Sequence, residues 1–159
     1  MRIQIVGRGR MGSALEARLR EAGHEVPPPA GRGSDGAFPD GAVADVVLLA
    51  VPDAAIAEAA ALVARGPVVG HLSGATPLAA LRGHDDAFSL HPLLPVTGAE
   101  TSFAGAFAAL DASTDRAIAT AISLADALGL ETISVADEDR AAYHAAASVA
   151  ANFLVVLED

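Results

Sequence analysis

The sequence predicts an α/β protein with a doubly wound, mostly parallel sheet. Short apolar runs typical of strands alternate with helical segments along most of the chain. The run at residues 45–51 is almost continuously apolar, as in a parallel strand that is buried on both faces. Because parallel strands need crossover connections and such sheets bind ligands at the carboxyl ends of their strands, we expect the functional residues there.

The first elements are a strand at residues 2–6 and a helix at residues 11–22, which Gly23 ends. Leu15 and Leu19 have the spacing of a helix face. Residues 24–26 resemble a second strand, before a loop rich in proline and glycine. Further strands are predicted at residues 45–51, 67–72, 87–90, 107–110 and 132–135, and further helices at residues 52–64, 77–82, 113–128 and from residue 137 onward.

For the last two helices, the sequence also predicts how each helix begins and, for the first of them, which residues share one face. Ser113 is a candidate N-cap for the helix that Gly129 ends. Ile118, Ile122, Ala125 and Leu128 lie on one side of that helix and are expected to face the core. The final helix is expected to begin with an acidic turn at residues 137–139, which would favour its N-terminal dipole.

Composition restricts the class of partner. A formal net charge of -10 disfavours binding to nucleic acid or to an anionic membrane, so any phosphate site must be local. The chain has no cysteine, no signal-peptide pattern and no apolar run long enough to span a membrane. We expect a cytoplasmic protein without membrane or nucleic-acid partners. Metal binding is not expected, because the histidines lack close ligand spacing.

A glycine-rich turn follows the first strand. Residues 7–12 read Gly-Arg-Gly-Arg-Met-Gly and match G-x-G-x-x-G directly between a strand and a helix. The glycines permit a tight turn, close approach of a pyrophosphate and close packing of helix on strand. The pattern predicts a Rossmann-type dinucleotide site. Its candidate residues are Gly7, Gly9, Arg10, Met11 and Gly12.

The residues beyond the second predicted strand favour NADP over NAD. An acid that binds the ribose hydroxyls of NAD is expected about 20 residues past the last glycine, where this sequence has Arg32. Arg32 and Ser34 could receive a 2′-phosphate. The alternatives are that Arg32 is a solvated loop residue and that Asp35 serves NAD.

Several motifs together resemble a known superfamily. They are Gly-Arg-Gly-Arg-Met-Gly at residues 7–12, Ala-Val-Pro-Asp at 50–53, His-Leu-Ser-Gly at 71–74, Ser-Leu-His-Pro-Leu at 89–93 and the segment at 143–154. The chain is similar to the 6-phosphogluconate dehydrogenase-like NAD(P)-dependent oxidoreductases. It most resembles an uncharacterised branch in which a Rossmann domain precedes a helical domain of unknown function.

The resemblance implies a dinucleotide-binding domain at residues 1–136 and the start of a helical domain at residues 137–159. In this superfamily the helical domain usually dimerises and completes the active site, so a homodimer is expected, and most of that domain is expected to be missing from this chain. The residues that would lie near the nicotinamide are Ala50, Val51, Pro52, Ser73 and Gly74.

Two regions are candidates for proton transfer. His91, next to Pro92, resembles a substrate-contacting histidine of prephenate dehydrogenases, and histidine titrates near neutrality. His144, Ser148 and Asn152 share one helix face. If Asn152 matches the substrate-binding asparagine of hydroxyacid dehydrogenases, Ser148 stands where they have a catalytic lysine. A structural histidine and a helix-packing stripe are the alternatives.

These features predict an NADP-dependent oxidoreductase that acts on a small keto acid, hydroxy acid or imine. Because Ser148 cannot replace lysine as a proton donor, His144 or His91 would have to be the acid, with Ser148 and Asn152 orienting substrate. Because serine replaces the expected lysine at this position, a second interpretation stays open, in which the chain is a dinucleotide-binding sensor or regulatory module without turnover.

Overall fold

The computed structural model describes residues 1–31, 41–136 and 138–157, without the side chains of residues 148 and 150–157. It confirms the α/β fold, with one six-stranded sheet in the order β1 to β6. The strands are β1 (Ile3–Val6), β2 (Val46–Leu49), β3 (Val68–His71), β4 (Ala87–Pro92), β5 (Phe107–Ala112) and β6 (Glu131–Ser134). The helices are α1 (Arg10–Glu21), α2 (Ile56–Leu62), α3 (Asp115–Leu128) and α4 (Arg140–Leu157), with short 3-10 turns at Asp53–Ala55 and Leu78–Leu81.

The sheet is mostly parallel, as predicted. β1, β2, β3 and β4 are parallel to one another and β5 is parallel to β6, whereas β4 and β5 are antiparallel. The connection from β4 to β5 is a loop without a helix, which an antiparallel pair allows. The carboxyl ends of β1 to β4 therefore lie at one common edge.

The predicted second strand at residues 24–26 is wrong as a strand. Among the described residues, this segment makes one isolated parallel bridge, from Glu25 to Arg2 just before β1, and a second isolated bridge follows after the prolines, from Ala30 to Val6. The prolines at residues 27–29 have no backbone N–H to donate, so a continuous ladder cannot form there. The chain still passes along the outer side of β1, and β2 then pairs with the opposite side of β1. The order in which strands are added to the sheet therefore reverses at β1.

Helices cover both faces of the sheet. In β2, alternate side chains point to opposite faces and all four are buried. Val46 and Leu48 belong to the core that includes residues of α1 and α3, and Val47 and Leu49 belong to the core that includes residues of α2. This double coverage explains why the strand sequence is continuously apolar.

α3 corrects two sequence predictions. Its N-cap is Thr114, whose side-chain oxygen accepts a hydrogen bond from the Ala117 backbone N–H, and not Ser113. Ser113 instead donates to the Asp85 carbonyl. The buried face consists of Ala117, Ala121, Leu124, Ala125 and Leu128, whereas Ile118 and Ile122 are exposed. Small alanines let α3 pack close to the sheet, so the isoleucines did not identify the inner face.

Replacing Thr114 with alanine should lower the free energy of unfolding by about 1 kcal/mol or more, because the helix loses its N-cap and Asp86 loses the hydroxyl that donates to it over 2.6 Å. Thr120 lies inside the same helix, and its hydroxyl donates to the Arg116 carbonyl of that helix. Thr120→Ala removes no cap, so it should cost nothing measurable and is the matched control. Urea denaturation of the two variants measures the difference. Equal stability of both variants would contradict the capping role.

Two helix boundaries also differ from prediction. The alanine-rich helix ends at Leu62 instead of near residue 64, and it begins with the 3-10 turn at Asp53–Ala55. α4 begins at Arg140, and its first turn contains no acidic residue. Asp137 lies outside the described residues, and Glu138 and Asp139 precede the helix. No helix in the described part of the chain is long and apolar enough to cross a membrane.

Candidate functional site

The glycine turn (residues 7–12) joins β1 to α1 at the carboxyl edge of the sheet. Gly7 has a φ of 125°, and a Cβ at this position would overlap the carbonyl group of Ala50. A Cβ on Gly12 would overlap the carbonyl oxygen of Gly7, because the start of α1 packs directly on the end of β1. These two glycines are therefore required by the packing of the protein itself.

Gly9 differs from its two neighbours in the motif. A Cβ at Gly9 would meet no atom of the described residues within 4 Å, so packing among them does not explain a glycine here. Gly9 is the N-cap of α1 and has no side chain that could accept from the free N–H groups of the first helical turn. The open surface and these donors fit a phosphate group that approaches the backbone closely.

The charges around the turn also fit an anion. Arg8 and Arg10 are exposed, and neither has an ion-pair partner among the residues that the structure describes. The first turn of α1 contains no acidic residue. Two cations beside the positive end of a helix dipole are mutually unfavourable, and a bound anion would relieve that repulsion. Met11 is half-buried and packs against the core.

The proposed determinants of NADP preference, Arg32 and Ser34, lie outside the described residues. Gly31, the last described residue before them, lies beside the Arg8 side chain, with 3.1 Å between an ideal Cβ on Gly31 and Arg8 Nε. The chain therefore leaves the outer side of β1 close to the glycine turn.

The segment after β2 lies next to the same turn. The Ala50 backbone N–H donates to the Val6 carbonyl over 2.7 Å, and the Ala50 carbonyl is the group that excludes a side chain at Gly7. Val51 is half-buried and Pro52 is exposed. The predicted cofactor segments after β1 and β2 are thus adjacent.

β3 ends in a turn that holds Ser73 and Gly74. The buried His71 accepts from the Ser73 backbone N–H through Nδ1 over 3.2 Å. The Ser73 hydroxyl accepts from the backbone N–H groups of Ala75 and Thr76. Ser73 thus stabilises the turn, and Gly74 is buried.

His91, Tyr143 and His144 form a cluster of three aromatic side chains, and the two histidine rings of this cluster lie against Gly74. The His91 Nδ1 and the Tyr143 hydroxyl are 2.9 Å apart, and their rings meet edge to face. The ring centroids of His91 and His144 are 6.4 Å apart. An ideal Cβ on Gly74 would lie 2.8 Å from His91 Nδ1 and 3.0 Å from His144 Nδ1, so only glycine fits beneath both rings.

The cluster favours a neutral imidazole and a protonated phenol. Burial lowers the pKa of His91, the positive charges of His144 and Arg140 lower it further, and Asp53 opposes them. Burial raises the pKa of Tyr143, and the nearby Arg140 charge partly offsets the increase. At neutral pH the His91–Tyr143 pair therefore carries a proton on the phenol and one on the imidazole.

Arg140 anchors the start of α4 beneath this cluster. Its side chain is only 2% exposed. It donates to the Ser89 hydroxyl over 2.6 Å and to the Ser73 carbonyl over 3.5 Å, and it lies 3.8 Å from the Asp111 carboxylate. One guanidinium thus connects α4 to β4, to β5 and to the turn after β3.

The structure brings His91 and His144 together, as the two candidates for proton transfer, although they are far apart in sequence. His91 lies within β4 and not just after it. Ser148 and Asn152 lie on α4, but their side chains are outside the described part of the chain.

The sequence analysis missed Tyr143 and Arg140 as site residues. Arg140 precedes His144 by one helical turn, a spacing that could have indicated a shared face.

The arrangement can perform two tasks at one edge of the sheet. The glycine turn offers backbone donors to a phosphate, and the cluster offers an imidazole and a phenol for proton transfer. Within the described ranges, no group of acidic and histidine side chains is arranged to hold a metal ion. The fold and the site thus define an α/β protein with a Rossmann-like fold and a glycine turn between β1 and α1.

Comparison with known proteins supports the fold. Residues 106–159 match a family described as a domain of unknown function, DUF2520. No curated protein matches the chain in sequence.

Solved structures match over nearly the whole chain. A proposed NADP oxidoreductase from Bacteroides fragilis is 20% identical with a TM-score of 0.76, covering 98% of this chain and 67% of its own. The protein TM1727 from Thermotoga maritima is 22% identical with a TM-score of 0.71, covering 98% and 65%. A 1-pyrroline-5-carboxylate reductase from Streptococcus pyogenes is 19% identical with a TM-score of 0.71, covering 99% and 67%. The chain thus spans about two thirds of the length of these structures.

Proposed function

We propose that this chain carries the cofactor-binding half and part of the catalytic site of an NADP-linked oxidoreductase. The observation that carries the proposal is the open surface at Gly9, where neither packing nor backbone strain requires a glycine. The structurally similar proteins include a proposed NADP oxidoreductase and a pyrroline carboxylate reductase that was solved with NADP bound, and an NADP-linked function agrees with both.

The residues that would hold the dinucleotide lie along the carboxyl ends of the first three strands. Gly7, Gly9 and Gly12 with the N-terminus of α1 would bind the pyrophosphate. Further contacts would come from the segments after β2 and β3, through Ala50, Val51, Pro52, Ser73 and Gly74. When bound, the nicotinamide supplies or accepts a hydride.

His91 is the residue that we propose to act on the reacting group. A carbonyl or imine that gains a hydride develops negative charge at its oxygen or nitrogen. The N–H of the neutral His91 ring would stabilise that charge through a hydrogen bond, and the proton itself would come from solvent. His91 stands at the carboxyl end of β4, next in the sheet to the strand that ends at Ser73 and Gly74. His144 lies beside it and would help to bind the substrate. A small keto acid, hydroxy acid or imine is the proposed substrate class.

The proposed preference for NADP depends on Arg32. Replacing Arg32 with alanine should weaken NADPH binding about tenfold or more and leave NADH binding unchanged, because only the 2′-phosphate loses a charge-assisted hydrogen bond. Isothermal titration with both cofactors measures the effect. Arg65→Ala, on the opposite edge near Gly66, is the control for a general change in charge. Tighter binding of NADH than NADPH by the native protein would contradict the preference.

A catalytic function can be separated from a sensor function by measuring turnover. A longer chain that also contains the helical domain should oxidise NADPH with at least one member of a panel of keto acids and cyclic imines, because that domain is proposed to complete the active site. His91→Gln should abolish this turnover and preserve NADPH affinity, because His91 is proposed to act on the substrate. Binding of NADPH without turnover across the panel would instead favour a dinucleotide-binding sensor, a reading that Ser148 at the position of the expected lysine supports.

A further inference from the structure

Tyr143 is the only tyrosine of the chain, and its hydroxyl contacts His91. The two residues are 52 positions apart and reach each other from β4 and α4. The edge-to-face packing of their rings, with centroids 5.8 Å apart and planes at 88°, fixes the phenol oxygen beside Nδ1. A contact of 2.9 Å between these atoms is a hydrogen bond of ordinary length.

The direction of this hydrogen bond determines the tautomer of His91. A neutral imidazole has one N–H and one acceptor nitrogen, and the bond at one nitrogen fixes the proton at the other. A phenol hydroxyl is more acidic than the N–H of a neutral imidazole, and an imidazole nitrogen is a better acceptor than a phenol oxygen, so the phenol is expected to be the donor in this contact.

We infer that Tyr143 is a positioning residue that donates to His91 Nδ1 and thereby holds the His91 proton on Nε2. Nε2 has no hydrogen-bond partner within the described part of the chain, so it remains free to donate to a ligand. A catalytic role for this N–H rests on the proposed function. When a carbonyl carbon accepts a hydride, its oxygen gains negative charge, which an N–H donor stabilises.

The surroundings of His91 support a neutral ring that needs such orientation. Its charged and titratable neighbours are His144 and Arg140 from α4, Asp53 from the 3-10 turn after β2, and Tyr143 itself. The positive charge of Arg140 disfavours a proton on both nitrogens of His91. Arg140 holds α4 against β4 through Ser89, so the phenol and the imidazole are fixed on elements that are anchored to each other.

Nitrogen NMR of protein labelled at its five histidines tests the inference without any cofactor. His91 signals are assigned by their loss in His91→Gln. In the native protein at a pH above the His91 titration, His91 should be protonated on Nε2 with Nδ1 acting as acceptor. In Tyr143→Phe, which keeps the ring, the ratio of the two tautomers should shift about fivefold toward the Nδ1 form, as expected for the loss of one hydrogen bond.

Two results would overturn the inference: a native His91 protonated on Nδ1, or the same His91 spectrum in the native protein and in Tyr143→Phe. Unchanged signals of His24 and His84, which are remote from the cluster, serve as the control for intact folding. Turnover of the longer chain provides the second readout, where Tyr143→Phe should lower kcat with little change in KM. If the native protein binds no dinucleotide, the proposed function fails while the tautomer result still decides the role of Tyr143.

Discussion

Replacing Arg140 with methionine should lower the free energy of unfolding by about 2 to 3 kcal/mol, because the fully buried Ser89 hydroxyl loses its partner. Methionine keeps most of the apolar stem but cannot donate to Ser89 or to the Ser73 carbonyl. Asp111 also loses its nearby cation, although its partial exposure reduces that cost. Urea denaturation, followed by circular dichroism, measures the change.

Arg116 provides the matched control, since it forms an exposed ion pair with Asp86 over 2.6 Å. Arg116→Met should cost less than about 1 kcal/mol, the usual range for exposed pairs. In Arg140→Met, the edge-to-face contact between Tyr143 and His91 should also be lost, because the start of α4 is no longer held. A stability loss equal to that of Arg116→Met would show that Arg140 does not anchor α4.

Gly12→Ala should destabilise the protein by about 3 kcal/mol or more, because its methyl group would overlap the Gly7 carbonyl and force α1 away from β1. Backbone atoms on both sides of this contact leave no flexible side chain to move aside. Gly9→Ala should cost no more than about 1 kcal/mol, as expected for an N-cap glycine with open space around it. Thermal unfolding of both variants tests the contrast.

The two glycine variants also separate packing from ligand binding. Gly9→Ala should remain folded and lose NADPH affinity, whereas Gly12→Ala should lose stability before any ligand is added. Equal stability of the two variants would mean that the helix can shift to accommodate Gly12→Ala, and that the close packing of α1 on β1 is not required.

The features of the fold that have a local chemical cause could be predicted from the sequence. The glycine motif directly after β1, the continuously apolar β2 and the strand–helix alternation each have a local physical cause, and together they predict the doubly wound sheet. They also predict which edge carries the site, because the carboxyl ends of parallel strands share one edge.

The features that depend on packing could not be predicted in the same way. Ser113 and Thr114 are both good N-caps, and only the contact with β4 decides between them. The exposure of Ile118 and Ile122 follows from how closely α3 approaches the sheet. A buried Arg140 is unexpected from sequence, since arginine is rarely buried unless its charge is satisfied by partners brought from other elements.

Calorimetric titration of NADPH into the native protein and into Gly9→Ala measures most directly whether the glycine turn binds a dinucleotide. We expect saturable binding of NADPH to the native protein and at least about tenfold weaker binding to Gly9→Ala, because its methyl group would occupy the surface that the phosphates approach. The absence of NADPH binding to the folded native protein, or equal affinity in both proteins, would contradict the proposed cofactor site.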